Sequence, residues 1–581
     1  MNEEFTKPMV PTSSSPLRIG LLVDSLIVSH YIYDFVEWAA RNPRIAVTHL
    51  IVHSPIDART EVGSKPGLVQ RARRLFRAVV RHGMYSVMSE VLVRCVVAFE
   101  RRLIARSKRH AVFLREYDLS TCVKEILHVV PTVSKSGFVY RFQAADIEKI
   151  RALDLDILVR CGGRILRGDI LKAAKLGVLS FHHADNRINR GGPAAFWEVY
   201  HRHATTGFTL QRLTDDLDAG DVLMRGHFGT RHYYLLNKAF LFEKSNYYLK
   251  LLVDKIALTG RLPDFLPKYP YSHKLFKSPL ALELTLYFAR FCYDVCRKRL
   301  MKLFGFAARW NVAYVRKNWR NAEYWRGVKL KNLAFRYLAD PFVISRSERS
   351  YCFMEELDSR TGRGSIVVYE LTQERGIRIG TALEEGFHLS FPYLFEYDNQ
   401  LYMCPECSES RSIRIYKCIE FPLRWKLDTI AMEGVSAADT MIFEKDGKWW
   451  LFTNIDPVGV GDFCSELFIF SAASPLANNW TPHPQNPVVV DAGYARNAGL
   501  LRDGAKYFRC SQQQAFDVYG KRLQINEMVE LTETSFAERC VSVATPSFGA
   551  DIIGAHHLHG AGDITVFDFL TISRTATGAE T

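Results

Sequence analysis

From about residue 333 onward one phrase recurs: a short strand, an Asp-Gly or Asp-Asn pair, then an aromatic strand. It appears as Tyr393-Leu-Phe-Glu396 before Asp398-Asn399 and Gln400-Leu-Tyr-Met403, and as Met441-Ile-Phe-Glu444 before Asp446-Gly447 and Lys448-Trp-Trp-Leu-Phe452. Asp503-Gly504 before Lys506-Tyr-Phe-Arg509 is a third instance. Each is a hairpin signature, because a two-residue turn matching strand twist needs positive φ, which Asp, Asn and Gly tolerate. Repetition at intervals of roughly 50 residues predicts propeller blades, and residues 333–575 have room for five.

The first half has a different texture. Leu17 to Val23 reads as a buried strand, Val28 to Ala40 as a helix and Ile45 to Val52 as a second strand, which opens an α/β doubly wound sheet. No GxGxxG follows the first strand, so no dinucleotide fingerprint is present. The pattern resumes with a helix over 147–153, a strand over 156–160, a Cys161-Gly162-Gly163 turn, a helix over 166–175 and a strand over 177–181. A helix over 193–203 and a strand pair over 206–213 and 221–228 complete it. The expected organisation is a disordered tail over 1–16 and an α/β domain over 17–235 with a basic helical insertion near 65–130. A basic helical linker over 236–332 then leads to the propeller.

The chain of 581 residues has a formal net charge of +14, with 48% hydrophobic and 24% charged residues, proportions of a globular protein. The charge is local. Residues 65–109 carry twelve Lys/Arg against Glu90 and Glu100, and residues 297–331 carry eleven against Glu323. The remainder is net acidic. These helical stretches read either as solvated faces or as contacts for an anionic partner, such as a membrane surface, an anionic lipid or a nucleotide sugar. Nucleic acid is not expected, because no recognition motif accompanies the charge.

The longest apolar stretch, Leu280 to Val295, contains Glu283, Arg290 and Asp294, so no membrane-spanning helix is expected. The N-terminus has no apolar signal core, which predicts a cytoplasmic protein with reduced thiols, membrane-associated at most through its basic helices. Cys404 and Cys407 form a lone CxxC without a second pair, and no metal site is expected.

Two segments carry chemistry. Gly177-Val-Leu-Ser-Phe-His-His-Ala-Asp-Asn-Arg-Ile-Asn-Arg-Gly191 runs a strand into a polar loop. Thr206-Gly-Phe-Thr209 and Leu217-Asp-Ala-Gly-Asp221 follow. Polar groups at the carboxyl ends of strands in an open α/β sheet face the ligand crevice. This order resembles the formyltransferases that use 10-formyltetrahydrofolate, over about residues 17–230. The resemblance implies that His182 acts at the formyl carbon as base or oxyanion partner, that Asp218 orients it, and that Ser180, where the family has Asn, is a shorter oxyanion donor. His183 is a possible second histidine. Asp185, Asn186 and Arg187 make the loop more polar than the family's. The turn after 156–160 would hold the cofactor through Gly162, Gly163 and Ile165, with Asp221 beyond. No oligonucleotide-binding barrel follows, so the implied acceptor is an amino sugar or nucleotide-linked sugar rather than tRNA.

In the second half, Leu338-Ala-Asp-Pro-Phe342 resembles the opening of family 43 propeller glycosidases, which implies Asp340 as a base. Glu355, Glu356, Glu406, Asp439 and Glu466 fall near corresponding points of other blades, where carboxylates can converge on a glycosidic bond. Arg496, His388 and His557 are candidate sugar or phosphate contacts. Phe353-Met-Glu-Glu-Leu-Asp358, His388-Leu-Ser-Phe-Pro-Tyr393 and Trp480-Thr-Pro-His-Pro-Gln-Asn-Pro487 resemble the propeller that precedes the catalytic part of glucosamine inositolphosphorylceramide transferases. The expected function is formyl transfer to an amino sugar in surface polysaccharide or glycolipid synthesis, with a carbohydrate-facing propeller. Two readings stay open beside it: glycosidase or glycosyl-transfer activity in the propeller with a degenerate formyltransferase domain, and a non-catalytic glycan-binding protein.

Overall fold

The computed structural model describes residues 15–53, 84–135, 137–215, 220–271, 273–516, 518–544, 549 and 551–574. The chain divides into two compact units, Thr6–Tyr293 and Asp294–Thr581.

The first unit is built on β1 (Leu17–Val23), α1 (His30–Arg41), β2 (Ile45–His53), α2 (Met84–Ala105), β3 (Glu125–Val129), α3 (Ala144–Arg151), β4 (Ile157–Arg160), β5 (Val178–His182), α4 (Phe196–Tyr200), β6 (Thr205–Arg212), β7 (Asp221–Gly229) and α5 (Tyr234–Thr259). Its seven-stranded sheet runs β7-β6-β5-β4-β1-β2-β3. The five strands from β5 to β3 are parallel, and β6 and β7 are antiparallel. Ile19, Leu21 and Val23 of β1, with Ile157 and Val159 of β4, pack on Ile32, Phe35 and Val36 of α1 and on Leu249, Leu252 and Val253 of α5. The opposite face meets Ile147 and Ile150 of α3. Strands covered on both faces are apolar at nearly every position, which is why β1 reads as a continuous run.

Three expectations need correction. The helix over 166–175 is only a 3-10 turn, Asp169–Lys172, because Gly168 at φ +84 interrupts the backbone. The helix over 193–203 shortens to α4, whose preceding Ala195 is left-handed at φ +67. The stretch 236–332 is not a linker: α5 buries Phe240, Leu241, Tyr248, Val253 and Ile256 in the first unit's core, since its aromatic and aliphatic face outweighs its lysines. After α6 (Ala281–Leu303), residues Phe306–Val315 form β8, a strand of the second unit. Of the basic insertion expected near 65–130, α2 is helical, residues 54–83 lie outside the described residues, and Glu125–Val129 belong instead to the core sheet as β3, paired with β2.

The second unit is all antiparallel sheet. Its first four-stranded sheet is β9 (Arg336–Arg346), β10 (Arg349–Asp358), β11 (Arg363–Leu371) and β12 (Gly376–Leu383). The next is β13 (Ser390–Tyr397), β14 (Gln400–Glu406), β15 (Ser412–Glu420) and β16 (Arg424–Glu433). A third contains β17 (Ala437–Lys445), β18 (Lys448–Ile455) and β19 (Glu466–Ala472). A fourth is β20 (Asn497–Asp503), β21 (Lys506–Gln513), β22 (Arg522–Leu531) and β23 (Phe536–Ala544). The fifth pairs β8 with β24 (Ile564–Arg574) over ten residues, from Phe306↔Arg574 to Val315↔Thr565. Strands from both ends of the unit thus share one sheet. The first strands neighbour one another in series, β9 beside β13, β13 beside β17 and β17 beside β20; Leu558–Ala561 lies beside both β20 and β9.

The hairpin turns match their signatures. Asp398 and Asn399 have φ of +50 and +56, and Asp446 and Gly447 +55 and +75. The turn between β9 and β10 is made by Ser347 and Glu348, at φ +48 and +62, two residues with no turn preference for the left-handed region.

A second repeat, shorter than a blade, sits in the first strands. Pairing shifts register between Ala339 and Phe342, between Ser390 and Tyr393, between Ala438 and Met441, and between Asn497 and Leu500. At the second residue of the first three bulges, Asp340, Phe391 and Asp439 are left-handed, with φ of +51, +45 and +49. Bulges re-aim side chains and concentrate beside functional sites. Here they turn two aspartates from separate sheets into one cluster.

Candidate functional site

A cavity of about 340 Å³ opens at the carboxyl ends of β1, β4 and β5. Asp24 follows β1, and Cys161, Gly162 and Gly163 follow β4. The Gly163 N–H donates to Asp24 Oδ2 at 3.0 Å. A Cβ on Gly162 would stand 2.7 Å from Asp24 Oδ1, so any larger residue would push the Asp24 carboxylate away from the turn. Behind it, His53 Nε2 lies 3.4 Å from Asp24 Oδ1, and burial lowers His53 to about 4.

Ser180 and His183 also line the cavity, but His182 does not. The His183 ring stacks on Phe242 at 3.6 Å and on Phe181 at 4.9 Å. Its Nε2 is buried without a hydrogen-bond partner, and burial holds its pKa well below the ordinary histidine value. Lys238, also on the wall, has its pKa lowered by burial, with its ammonium 5.5 Å from the Phe242 centroid. His182 instead donates from Nε2 to the Asn189 carbonyl at 2.6 Å. Ser180 Oγ donates to the Phe181 carbonyl at 3.2 Å.

The remaining first-unit expectations divide. Gly162 and Gly163 stand on the cavity. Ile165, in a short strand, donates its N–H to the Phe138 carbonyl, and neither it nor Asp221 is part of the wall. Asp221 is tied to Arg212 Nε at 3.1 Å and Lys268 Nζ at 3.0 Å. Asp218 lies outside the described residues. Asp185 accepts from His227 Nε2 at 2.9 Å and from Arg187. Burial alone would raise its pKa, and these hydrogen bonds outweigh burial and hold it well below the usual carboxylate range.

The second unit gathers a denser cluster, in which Asp340, Glu355, Glu406, Asp439 and Asp568 come from β9, β10, β14, β17 and β24. Arg496, just before β20, places Nε 2.6 Å and Nη2 3.2 Å from the two oxygens of Asp439, with Nη2 3.4 Å from Glu406 Oε2. Gln512 Nε2 donates to Asp439 at 3.2 Å. Asp340 accepts from the Phe391 N–H at 3.3 Å, and His556 Nε2 lies 3.4 Å away. Asp568 receives the His556 and His557 N–H groups, each at 2.9 Å, and the Asp340 N–H at 3.2 Å.

Burial pushes Asp340 up to about 7, against the pull of His556 and with the repulsion of Asp439. Burial also pushes Asp439 up to about 7, against Arg496. Glu355 rises well above the usual carboxylate value through burial and then through its neighbours Asp340 and Glu406. Its Oε1 is 3.5 Å from His388 Nε2, whose Nδ1 accepts from the Gly364 N–H at 2.9 Å. Carboxyl groups held protonated beside others that ionise can divide proton donation and acceptance between them. Ligand atoms of Asp340, His556 and Asp568 lie within 4.8 Å of one another, close enough for one cation to touch all three.

Two expected members stand elsewhere. Glu356, adjacent to Glu355 and therefore on the opposite face of β10, is buried against Arg336 Nη1 at 2.6 Å and Arg378 Nη2 at 3.2 Å. Glu466 sits on β19, the third strand of its sheet, and is fully buried. His557 packs in the core between Phe342 and Phe391, with its pKa pushed well down by burial. His556 and Asp568 were missed from sequence because their spacing matches no blade signature; the position of Asp568 across from His557 would have needed the register of the last sheet.

Residues 327–551 match the family profile described as glucosamine inositolphosphorylceramide transferase 1, N-terminal. The chain is similar to glucosamine inositolphosphorylceramide transferase 1 of Arabidopsis thaliana, with 33% identity over 210 residues, 35% of this chain and 27% of that protein. It is also similar to methionyl-tRNA formyltransferase of Bacillus thuringiensis strain Al Hakam, with 33% identity over 79 residues, 13% of this chain and 25% of that protein. The chain thus spans about a quarter of the length of each curated relative. Among solved structures, the catalytic domain of the Coprinopsis cinerea GH62 α-L-arabinofuranosidase aligns at 12% identity and a TM-score of 0.32, covering 46% of this chain and 98% of that one. Glycinamide ribonucleotide transformylase 1 from Symbiobacterium toebii aligns at 17% identity and a TM-score of 0.26, covering 42% and 89%.

Proposed function

We propose that the first unit transfers a formyl group from 10-formyltetrahydrofolate to the amino group of a sugar, and that the second unit, a five-bladed propeller, binds the carbohydrate. The observation that carries this reading is the cavity at the carboxyl ends of β1, β4 and β5, with the Gly162-Gly163 turn wrapped on Asp24 and Ser180 in the wall. The similarity to a methionyl-tRNA formyltransferase supports it.

The donor set fits a reduced folate. Tyr31 and Phe242 offer aromatic faces to a flat ring, Asp24 accepts hydrogen bonds from ring N–H groups, and Arg160 and Lys238 suit a carboxylate tail. When bound, the folate supplies an activated formyl group. Ser180 then offers a hydroxyl to the oxyanion, and a neutral His183 or His182 takes the proton that the attacking amine loses. By the resemblance, Asp218 orients His182. The role of the sugar follows from the relatives, whose name describes a glucosamine-linked lipid transferase. This reading makes the protein a cytoplasmic transferase whose basic helices meet an anionic lipid or lipid-linked acceptor.

A second reading places the chemistry in the propeller as glycoside or glycosyl transfer, beside a first unit without turnover. The observation favouring it is the convergence of Asp340, Asp439 and Glu355 from three strands in one buried cluster, with burial raising the pKa of each above that of an ordinary carboxyl.

The test is a titration of the full chain with a stable 10-formyltetrahydrofolate analogue, followed by turnover assays on amino sugars. Saturable binding that His182→Ala and His183→Asn leave intact, with formylation lost in one of them, supports the first reading. Absence of analogue binding, with turnover of a glycoside lost in Asp340→Asn, establishes the second instead.

A further inference from the structure

The helices α2 and α6 each carry more apolar surface than their packing uses. On α6, Ala281, Leu284 and Tyr287 face inward and are buried. A second stripe, Leu282, Leu286, Ala289 and Tyr293, recurs at spacings of four, three and four on the exposed side, with Leu282 62% exposed. On α2, Val87, Val96 and Ile104 are buried, while Met84, Tyr85, Met88 and Val91 are exposed, Met84 to 75%. A helix that packs on one side needs only one such stripe.

The two outward stripes adjoin. The Leu282 N–H donates to the Tyr85 hydroxyl at 3.4 Å, and the Ala281 N–H to Ser89 Oγ at 2.8 Å. Further along both helices, Phe99 meets Phe288 edge-on at 5.6 Å, and both rings remain partly exposed. Tyr287 donates to Glu100 beneath them and pins the pair. The two stripes meet at Tyr85 and Leu282, and the exposed Phe99 and Phe288 add a further apolar pair to the same two helices.

Its surroundings are cationic. Arg94, Arg101, Arg102, Arg106, Lys108 and Arg109 stand on or just after α2, against Glu90 and the buried Glu100. The α6 sequence carries Arg290, Arg297, Lys298, Arg299 and Lys302 against Glu283 and Asp294. No helix among the described residues is long and apolar enough to cross a membrane. An apolar face bordered by arginine and lysine is the pattern of a helix lying in the interface of an anionic bilayer. A second copy of the chain would bring the same cations together, which favours the bilayer as occupant.

We propose that the outward face of α2 and α6, centred on Tyr85, Met88, Leu282 and Leu286, docks the protein onto anionic membrane surfaces. The apolar stripe enters the headgroup boundary, and the flanking guanidinium and ammonium groups contact lipid phosphates.

The experiment is co-sedimentation of the full chain with vesicles of phosphatidylcholine alone or mixed with phosphatidylglycerol, at low and high salt. The expected result is binding to the mixed vesicles, weakened about tenfold or more by high salt as screening shortens the electrostatic reach. A Leu282→Glu, Leu286→Glu variant should lose about tenfold or more in affinity, with its circular dichroism and melting temperature unchanged. An Arg101→Gln, Arg102→Gln, Arg106→Gln variant, whose substitutions leave the apolar stripe intact, should lose the preference for phosphatidylglycerol. Failure to bind either vesicle overturns the proposal. So does a stable dimer, seen by light scattering, that the double glutamate variant dissolves without any vesicle binding by the wild type.

Discussion

Arg496 holds Asp439 with two nitrogens, Nε 2.6 Å from Oδ2 and Nη2 3.2 Å from Oδ1. The arginine precedes β20 and the aspartate stands at the bulge of β17, so the pair ties two sheets together at the centre of the carboxylate cluster. Beside this pair, burial and the neighbouring carboxyl groups raise the pKa of Asp340 and of Glu355.

Removing one side of this pair should cost far more than a surface ion pair would. Arg496→Met leaves a buried carboxyl without its cation, a loss on the order of 3–5 kcal/mol. Urea denaturation should show the destabilisation at pH 8 and a smaller one at pH 5, where Asp439, with its pKa near 7, is protonated. Equal losses at both pH values would mean that Arg496 acts through packing alone.

The two glycines of the β4 turn should behave differently. Gly162→Ala sets a Cβ 2.7 Å from Asp24 Oδ1, whereas a Cβ on Gly163 meets nothing within 4 Å. Gly162→Ala should weaken folate-analogue binding by about tenfold or more, because its Cβ displaces the Asp24 carboxylate, and a hydrogen bond to a charged group contributes about 1.5–3 kcal/mol. Gly163→Ala should bind within about twofold of wild type by this steric argument. Calorimetric titration of both variants separates them, and identical affinities would remove the Asp24 turn from the binding site.

Glu100 makes stability depend on pH. Burial raises its pKa to about 7, against hydrogen bonds from Tyr287 and the Leu235 N–H. The folded state therefore holds a proton that the unfolded chain, with an ordinary carboxyl, releases near pH 4.5. This contribution is fully present below about pH 4.5 and is lost progressively as pH rises to about 7. Glu100→Gln keeps a hydrogen-bonding side chain without the charge. It should flatten the fall in stability, followed by melting temperature, between about pH 4.5 and pH 7, a change of up to about 3 kcal/mol.

The turn between β9 and β10 offers a stabilising substitution. Ser347 and Glu348 both hold positive φ, which costs roughly 1 kcal/mol per non-glycine residue. Ser347→Asn with Glu348→Gly installs the residues this turn type prefers and should raise stability by about 1 kcal/mol. Differential scanning calorimetry reads the shift; a lowered transition would show that the glutamate side chain supports the turn.

Much of the fold was legible because it rests on local periodicity. β1, β2, β4 and β5 lie where apolar runs between turn residues predicted them, and the Asp398-Asn399 and Asp446-Gly447 hairpins lie where positive φ was demanded. The Ala-Asp-Pro-Phe phrase pointed to Asp340 and the blade spacing to Asp439, and both meet in the cluster. The errors share a cause. α5 was read by its charges as a linker, although its buried face ties it to the sheet, and β8 was read as helical although its alternation pairs with a strand some 250 residues later.

By itself the sequence determined that Glu355 and Glu356 point to opposite faces of one strand, because side chains in strands alternate, and that His182 and His183 sit together where β5 ends in a loop. Which of each pair faces the site was decided only by tertiary structure. Glu355 turns toward the cluster because the first sheet sets that face of β10 toward Asp340, and Glu356 is left to Arg336 and Arg378. His183 reaches the cavity because Phe242 of α5 covers that side of the sheet and stacks on it, while His182 turns to the Asn189 carbonyl. Alternation sets relative direction within a strand. Absolute direction depends on what packs on each face, and those partners lie far away in the chain.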